Sequence, residues 1–411
     1  MRRLVTLILF GVLFQAQGQL RTLGFALQDK TEKITLPFEL HNNLIVIPVI
    51  FDGKIPLKFI LDTGVRTAIL TDRVITDILQ VPYSRKISIS GPGGQKLISA
   101  LIANNISLMI PPSLSSTGSS LLVLEEDYLE LKNHLGTEIH GVIGYEIFSR
   151  FLVSINYERK EITFSSGRKF RKPRSYQEFD LSIEDTKPYL YAICKFPGGK
   201  TLNLKLMADT GASHCLLLHP ETNPQIVVPE KNVHGSIGRA LGGNISGSTA
   251  RIESISIGSF NLEQPLANFP DPESYADTLR STTIFRNGTI GGELLGRFNV
   301  IFNYAAGKIY LHKNSHYRKP FKFNLSGLTV HATGPDLNIF ELSEVRNGSA
   351  GFDAGLQAGD TLLRVNHTAT KSLKLSDINQ ILNSKEDKKL KIVLRRNGNE
   401  LKKSVVLRDD L

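Results

Sequence analysis

The feature that most constrains this chain is a long internal repeat with one constant spacing. The tripeptide Asp-Thr-Gly occurs at residues 62–64 and again at residues 209–211, which is 147 residues later. A Gly-x-Ile-Gly-x-Glu-x-x-x-Arg-Phe pattern at residues 141–151 recurs at residues 288–298 with the same spacing. Solenoid repeats have periods of ~20–50 residues, so this repeat is too long to be one. It predicts two homologous domains of about equal size.

Each copy of the repeat has the pattern of β-strands. Residues 44–51 are apolar and β-branched, Asp52-Gly53 is a turn dipeptide, and residues 57–61 are apolar again. The second copy has the same order, with strands expected at residues 189–196 and 202–208. We also expect a helix near residues 125–133, a helix after each Ile-Gly, and a Ser- and Pro-rich loop at residues 111–120.

The two aspartates stand in similar surroundings. Apolar residues run directly into Asp62 and into Asp209, and further apolar residues follow each Asp-Thr-Gly. Each aspartate is therefore expected on a buried turn between two strands. A buried carboxylate without a partner is costly, and the simplest partner is the aspartate of the other copy.

Two carboxyl groups held close together share one proton, so that one acts as a base on water while the other donates a hydrogen bond to a carbonyl group. Glycine after each Asp-Thr lets the two turns approach closely. The hydroxyl groups of Thr63 and Thr210 are expected to form hydrogen bonds across the interface between the copies.

These motifs resemble those of the aspartic peptidases, especially the retropepsin-like bacterial group, over about residues 34–315. The family pattern is an Asp-Thr-Gly after two hydrophobic residues, then a glycine-rich flap, then two hydrophobic residues and a Gly before a short helix. The resemblance implies a mainly β, bilobal aspartic-protease (acid-protease) β-barrel fold with duplicated lobes at residues 34–165 and 188–315, joined by a linker at residues 166–187. It also implies an endopeptidase without cofactor or metal, acting on a peptide or protein substrate. Its implied site residues are two catalytic aspartates and four supporting residues: Asp62, Asp209, Thr63, Gly64, Thr210 and Gly211.

The flaps are expected at two glycine-rich turns, with Gly93 and Gly94 in the first copy and Gly242 and Gly243 in the second. Such a flap would close over a bound peptide and exclude water. The sequence departs from the family at Val65-Arg66, where Ala or Ser is usual, and neither flap has the tyrosine of pepsins. We expect Arg66 to point to solvent. These departures favour an alternative, a catalytically silent peptide-binding or scaffold protein with a degenerate protease fold.

The C-terminal part has a second resemblance. Residues 354–366 resemble the Ala-Gly-Leu-x-x-Gly-Asp-x-Ile-x-x-Val-Asn run of the PDZ domains of bacterial proteases, although His367 replaces the usual Gly. This implies a PDZ-like α+β domain at residues 320–411. Such a domain binds an extended or C-terminal peptide by adding it to a sheet edge. The implied binding residues are Gly327, Leu328 and Val330. The alternative is a PDZ fold that only packs on the protease. Ser376 is expected to cap a helix over residues 377–382.

The N-terminus has the pattern of a signal peptide at residues 1–18, and this predicts an exported protein, periplasmic or secreted. Arg2 and Arg3 precede an apolar run at residues 4–14, which is too short for a membrane span of ~20 residues. Export permits a disulfide, and the sequence leaves open whether Cys194 and Cys215 form a bridge or stay free.

The net charge of +10 does not indicate a nucleic-acid partner, because the basic residues form no nucleic-acid motif. The basic cluster at residues 168–174 lies in the expected linker and is interpreted as a solvated connector. No metal-binding motif is present. Two lobes in one chain are compatible with a monomer.

Overall fold

A computed structural model describes residues 24–28, 31–89, 91, 93, 97–274 and 284–411. Over these residues the protein is mainly β, and its strands form four sheets. The expected signal peptide at residues 1–18 lies outside the described residues. None of the described helices has the length and apolar character needed to cross a membrane.

The first copy of the repeat, with the residues just before it, supplies strands β1 to β12 and helices α1 to α3. The strands are β1 (Gly24–Leu27), β2 (Lys33–Pro37), β3 (Glu39–His41), β4 (Leu44–Phe51), β5 (Ile55–Leu61), β6 (Ile69–Leu70), β7 (Tyr83–Ile89), β8 (Ile98–Ile110), β9 (Leu114–Leu124), β10 (Gly141–Ile143), β11 (Leu152–Asn156) and β12 (Glu161–Ser165). The helices are α1 (Val74–Ile78), α2 (Leu131–Leu135) and α3 (Tyr145–Phe148).

Most of these strands form a nine-stranded sheet in the order β1-β9-β6-β10-β5-β4-β8-β7, with β3 paired to β4. The predicted hairpin of β4 and β5 and the predicted helix after Ile143-Gly144 are confirmed. The short strand β10 lies between β5, to which it is parallel, and β6, to which it is antiparallel. This places the turn after β5, which carries Asp62, in the middle of the sheet.

The second copy, with the segment before it, supplies strands β13 to β25 and helix α4 (Gly292–Leu295). The strands are β13 (Gln177–Asp180), β14 (Ser182–Glu184), β15 (Lys187–Lys195), β16 (Thr201–Ala208), β17 (Leu216–Leu218), β18 (Asn232–Ala240), β19 (Gly243–Arg251), β20 (Ser254–Ile257), β21 (Phe260–Glu263), β22 (Leu266–Pro270), β23 (Gly288–Ile290), β24 (Phe298–Asn303) and β25 (Lys308–Lys313). Ten of them form a sheet in the order β18-β19-β22-β17-β23-β16-β15-β20-β21, with β14 paired to β15. Strands β13 and β14 lie in the segment 166–187, which the sequence indicated as a linker.

The register of the strands repeats with the sequence. Phe59 pairs with Gly141 in the first copy, and Leu206 pairs with Gly288 in the second, each 147 residues later. The spacing becomes 148 only after Asp-Thr-Gly, where Leu70 pairs with Gly141 and Leu218 pairs with Gly288. The second copy therefore has one residue more in the turn that follows its aspartate.

A six-stranded sheet in the order β13-β25-β24-β11-β12-β2 takes strands from both copies. At its centre β11 and β24 are antiparallel, with Ser154 opposite Ile301, Val153 opposite Phe302 and Ile155 opposite Val300. Residues 154 and 301 are themselves equivalent in the repeat, so this register has two-fold pseudosymmetry. One large buried core continues through all three sheets.

Two predicted elements of the first copy differ from the structure. The expected loop at residues 111–120 is wrong, because β9 begins at Leu114 and pairs with β8. Leu114 and Leu121 are buried, and the hydroxyl groups of Ser116 and Ser119 bond to each other, so a Ser-rich strand satisfies its own polar groups. The expected helix at residues 125–133 is α2, which starts later, at Leu131, and ends at Leu135.

The C-terminal sheet has its own apolar core. Its strands are β26 (Leu328–Thr333), β27 (Ile339–Val345), β28 (Thr361–Val365), β29 (Thr368–Ala369), β30 (Lys389–Arg396) and β31 (Asn399–Val406), and its helices are α5 (Ala350–Asp353) and α6 (Leu375–Leu382). The order is β26-β27-β28-β30-β31, with β29 paired to β28, so β26 is an edge strand. The predicted cap at Ser376 is wrong, because the helix begins at Leu375, two residues earlier than predicted, and the Asp377 carboxylate accepts a bond from the Lys374 amide at 3.0 Å.

Candidate active site

The two aspartates lie at the carboxyl ends of equivalent strands. The Asp62 amide donates to the Ile143 carbonyl at 2.8 Å, and the Asp209 amide donates to the Ile290 carbonyl at 2.9 Å. In each copy the aspartate is thus fixed by a parallel neighbour, β10 or β23. Both aspartates are intermediate in exposure, so water can reach them.

The threonines that follow the aspartates exchange hydrogen bonds between the copies. The Thr63 hydroxyl donates to the Ala208 carbonyl at 2.7 Å and accepts from the Thr210 amide at 3.0 Å. The Thr210 hydroxyl donates to the Leu61 carbonyl at 2.8 Å and accepts from the Thr63 amide at 3.1 Å. Both threonines are buried, at 0% and 1% exposure. These four bonds join the two turns at fixed spacing.

The glycines bring the carboxyl groups together. A Cβ atom on Gly211 would overlap the carboxyl group of Asp62, and one on Gly64 would lie 3.3 Å from Oδ2 of Asp209. The Gly64 amide donates to Asp62 at 2.6 Å, and the Gly211 amide donates to Asp209 at 2.8 Å. Oxygens of both carboxyl groups therefore lie within 3.4 Å of one point, the Cβ position of Gly64.

The surroundings of the two carboxyl groups are unequal. Burial raises the pKa of Asp62 well above its usual value, and the charge of Asp209 raises it further. Burial also raises the pKa of Asp209. A glycine amide and the charge of Lys187 lower the pKa of both aspartates, and the charge of Arg286 lowers that of Asp209 in addition. Arg286 therefore favours ionisation of Asp209 over that of Asp62.

Arg286 and Lys187 are groups near the pair that the sequence reasoning missed. Arg286 is 6% exposed and lies two residues before Gly288, where the first copy has the buried Ile139. A buried cation that replaces an apolar residue within an otherwise parallel repeat is the signal that would have found it. Tyr304 is a third such neighbour, because its buried hydroxyl group lies near both carboxyl groups. Burial raises the pKa of Tyr304, and the charges of Asp209 and Asp62 raise it further.

Each copy also reaches the turn of the other through its first hairpin. Asn43, between β3 and β4, donates to the Ser213 carbonyl at 2.9 Å. Arg66, the residue equivalent to Ser213, lies 3.3 Å from Asp185, between β14 and β15. The Arg66 side chain is 70% exposed, as expected, and Val65 packs on a small apolar cluster. The departure Val65-Arg66 therefore leaves the carboxyl pair itself intact.

The tips of the two expected flaps meet. Gly93 follows β7 and packs directly against the backbone of Gly243, at the β18–β19 hairpin, while Gly91 packs against Leu241. The Gly93 amide donates to the Ser274 carbonyl at 3.1 Å. Gly242 lies beside Leu241 in the same hairpin tip, and Gly94 lies outside the described residues.

The residues expected to bind a peptide in the C-terminal unit lie together at the start of β26. Gly327 has a positive φ of 71° and packs on Ser349, where a Cβ atom would overlap that side chain. Leu328 and Val330 are buried at 3% and 4% exposure in the C-terminal core. Both side chains are therefore part of that core.

The two cysteines and the histidine near the site pack within the protein and are not part of the carboxyl pair. Cys194 and Cys215 are free and buried, and burial raises the pKa of Cys194 to about 12. His214, which precedes Cys215, is half-buried in its turn, and its desolvation lowers its pKa to about 4. No cluster of three metal-ligating side chains occurs among the described residues.

Comparison of the chain with protein-family models and with curated proteins finds no match in either case.

Proposed function

We propose that the protein is an aspartic-type endopeptidase with a bilobal acid-protease fold, in which Asp62 and Asp209 activate one water molecule. The observation that carries the proposal is the close approach of the two carboxyl groups at symmetric Asp-Thr-Gly turns, where a Cβ atom on Gly64 would lie 3.0 Å from Oδ1 of Asp62 and 3.3 Å from Oδ2 of Asp209. The threonine exchange supports it, because it holds the turns at the close approach that proton sharing needs.

The charge of Arg286 near Asp209 supports a different role for each carboxyl group. Ionised Asp209 takes a proton from water, and the water oxygen attacks the peptide carbonyl carbon. Protonated Asp62 gives its proton to the carbonyl oxygen, which yields a tetrahedral diol. Asp209 then gives its proton to the amide nitrogen, Asp62 takes a proton from one diol hydroxyl, and the carbon–nitrogen bond breaks. At the end Asp209 is again ionised and Asp62 is again protonated.

The hairpins that meet at Gly93 and Gly243 support a role as flaps that cover a peptide in the cleft. The C-terminal unit is proposed to be a PDZ-like domain, because its edge strand β26 begins at a glycine turn and is flanked by α6. It would bind an extended or C-terminal peptide by strand addition. The N-terminal pattern supports export to the periplasm or the exterior.

The test is cleavage of a fluorogenic peptide library from about pH 3 to about pH 7 by the wild type and by Asp62→Asn and Asp209→Asn. Each variant is expected to lose about a thousandfold or more in rate, since each removes one half of the proton transfer. Asp52→Asn is the matched control, because it makes the same change at the turn of the β4–β5 hairpin, where the exposed Asp52 side chain pairs with the exposed Lys54. Cleavage by Asp209→Asn at the wild-type rate would exclude the proposal. A wild type that binds peptides without cutting any would favour the silent peptide-binding alternative.

A further inference from the structure

The edge of β26 is covered by the first copy of the repeat. Helix α2 packs across this strand, and the Asn133 side-chain amide donates to the Ala332 carbonyl at 2.8 Å. Gly136, which ends α2 with a φ of 64°, closes on Leu375 at the start of α6. The groove between β26 and α6 therefore already holds a segment of the same chain.

Two histidines face each other at this junction. The ring centroids of His134 on α2 and His331 on β26 lie 3.9 Å apart at an interplanar angle of 77°. The Nε2 atom of each ring is buried without a hydrogen-bond partner. Two neutral imidazoles can pack in this way, but two imidazolium ions at this distance repel each other.

The same segment holds the β18–β19 hairpin. Arg239 at the end of β18 lies 3.0 Å from Glu130, just before α2, and donates to the Tyr128 carbonyl at 3.1 Å. Leu241 at the hairpin tip packs in an apolar cluster of the first copy. On the opposite side, Glu344 of β27 accepts from the Ser236 amide at 3.4 Å. The hairpin thus bridges the first copy and the C-terminal unit.

We propose that the junction of α2 with β26 is an acid-operated latch, which keeps the β18–β19 hairpin closed and the β26 edge covered until His134 and His331 are protonated. Opening would release Arg239 from its anchor and would free the edge of β26 for an extended peptide. The role of the hairpin as a flap rests on the proposed peptidase function, whereas the latch itself does not.

The charges around the histidines set the direction of the effect. Burial lowers the pKa of His134 to about 4, and the charges of His331 and Arg239 add to this. Burial also lowers the pKa of His331, while Glu130 and Glu341 of β27 oppose that shift. From α6 the junction is faced by Leu375, and the Asp377 carboxylate of that helix is bound to the Lys374 amide.

The sign follows from linkage. The pKa of such a histidine is lower in the closed state than in the open state. Above about pH 6.5, the ordinary pKa of histidine, the imidazole is neutral in both states and does not shift the equilibrium between them. As the pH falls from about 6.5 to about 4, the open state binds protons that the closed state refuses. For His134 this favours the open state by on the order of a hundredfold at the acid end of that window.

The test is amide hydrogen exchange of the whole chain at about pH 7 and about pH 4.5, corrected for intrinsic exchange. In the wild type, residues 131–135, 328–333 and 232–251 are expected to lose protection by about tenfold or more at the lower pH. The double variant His134→Leu/His331→Leu should keep its protection there, because no imidazole then remains at the junction to be protonated. His367→Leu, which removes an exposed histidine of the C-terminal unit, should behave as the wild type.

Two further variants keep the outcomes separate. Glu130→Gln should loosen residues 232–251 at both pH values while both histidines remain, which tests the anchor even if the double variant does not fold. Asp209→Asn should show the wild-type acid response, so loss of cleavage and loss of the latch are read independently. Wild-type protection that is the same at both pH values, or that the double variant loses to the same extent, would overturn the proposal.

Discussion

Replacing Thr63 by Val tests whether the hydroxyl exchange holds the two copies together. Valine has nearly the shape of threonine, so the substitution removes hydrogen bonds with little change in packing. It deletes the bond from the Thr63 hydroxyl to the Ala208 carbonyl and the bond from the Thr210 amide to the same hydroxyl. Both bonds cross between the copies, and both are buried.

The expected loss follows from these two bonds. Leaving a buried donor or acceptor without its partner costs about 1–3 kcal/mol for each group. Two such groups, less the desolvation that the hydroxyl no longer requires, give an expected destabilisation of about 2–5 kcal/mol. Thr210→Val removes the two equivalent bonds, to the Leu61 carbonyl and from the Thr63 amide, so its effect should be nearly the same.

The assay is urea unfolding followed by tyrosine fluorescence and by far-ultraviolet circular dichroism, since the chain has no tryptophan. Thr63→Ser keeps the hydroxyl and should stay within about 1.5 kcal/mol of the wild type. Thr368→Val changes an exposed threonine of the C-terminal unit and should have almost no effect. A loss below about 0.5 kcal/mol for Thr63→Val would refute the reasoning, because the exchange would then contribute nothing beyond packing.

Two predictions concern the carboxyl pair directly. Gly211→Ala should abolish peptide cleavage and lower the thermal midpoint of unfolding, because its Cβ atom would overlap the Asp62 carboxyl group. Gly64→Ala should reduce cleavage and the thermal midpoint less, since its Cβ atom would only approach carboxylate oxygens at 3.0 and 3.3 Å. Equal cleavage by Gly211→Ala and the wild type would contradict the close approach of the turns. The raised pKa of Asp62 predicts a stability contribution that is fully present below about pH 4 and is lost as the pH rises through its value in the folded protein. Asp62→Asn has no carboxyl group at this position and lacks that loss. Measured by urea unfolding between about pH 4 and about pH 7, its free energy of unfolding should rise relative to that of the wild type by up to about 1.4 kcal/mol per pH unit. If the free energies of unfolding of the two proteins change in parallel with pH, the pKa of Asp62 is not raised.

The repeat allowed much of the fold to be predicted from sequence. Local sequence patterns predict the apolar strands before each aspartate, the hairpins of β4–β5 and β15–β16, and the helices after Ile-Gly. Each pattern occurs in both copies, which strengthens its interpretation. The cross-bonding of Thr63 and Thr210 was predictable because equivalent turns that approach about a two-fold axis must face each other.

What the sequence did not predict depends on contacts between distant segments. Strand β9 has a Ser-rich sequence typical of a loop, and only its pairing with β8 makes it a strand. Arg286 is a cation at the position where the first copy has the apolar Ile139. The sequence does not show that Arg286 lies near Asp209, so its effect on that carboxyl group could not be predicted. The junction of His134 with His331 joins residues 197 positions apart that share no motif.

The exchange of threonine bonds also bears on what happens when the chain is cut. Each turn takes its hydrogen-bond partners from the other copy, so neither copy holds a complete set. A fragment that ends between the copies would carry one aspartate with no second carboxyl group to share its proton. Such a fragment also lacks the threonine of the other copy, which fixes the turn that carries the aspartate. A nick that lets the copies separate would therefore end the proton sharing between Asp62 and Asp209.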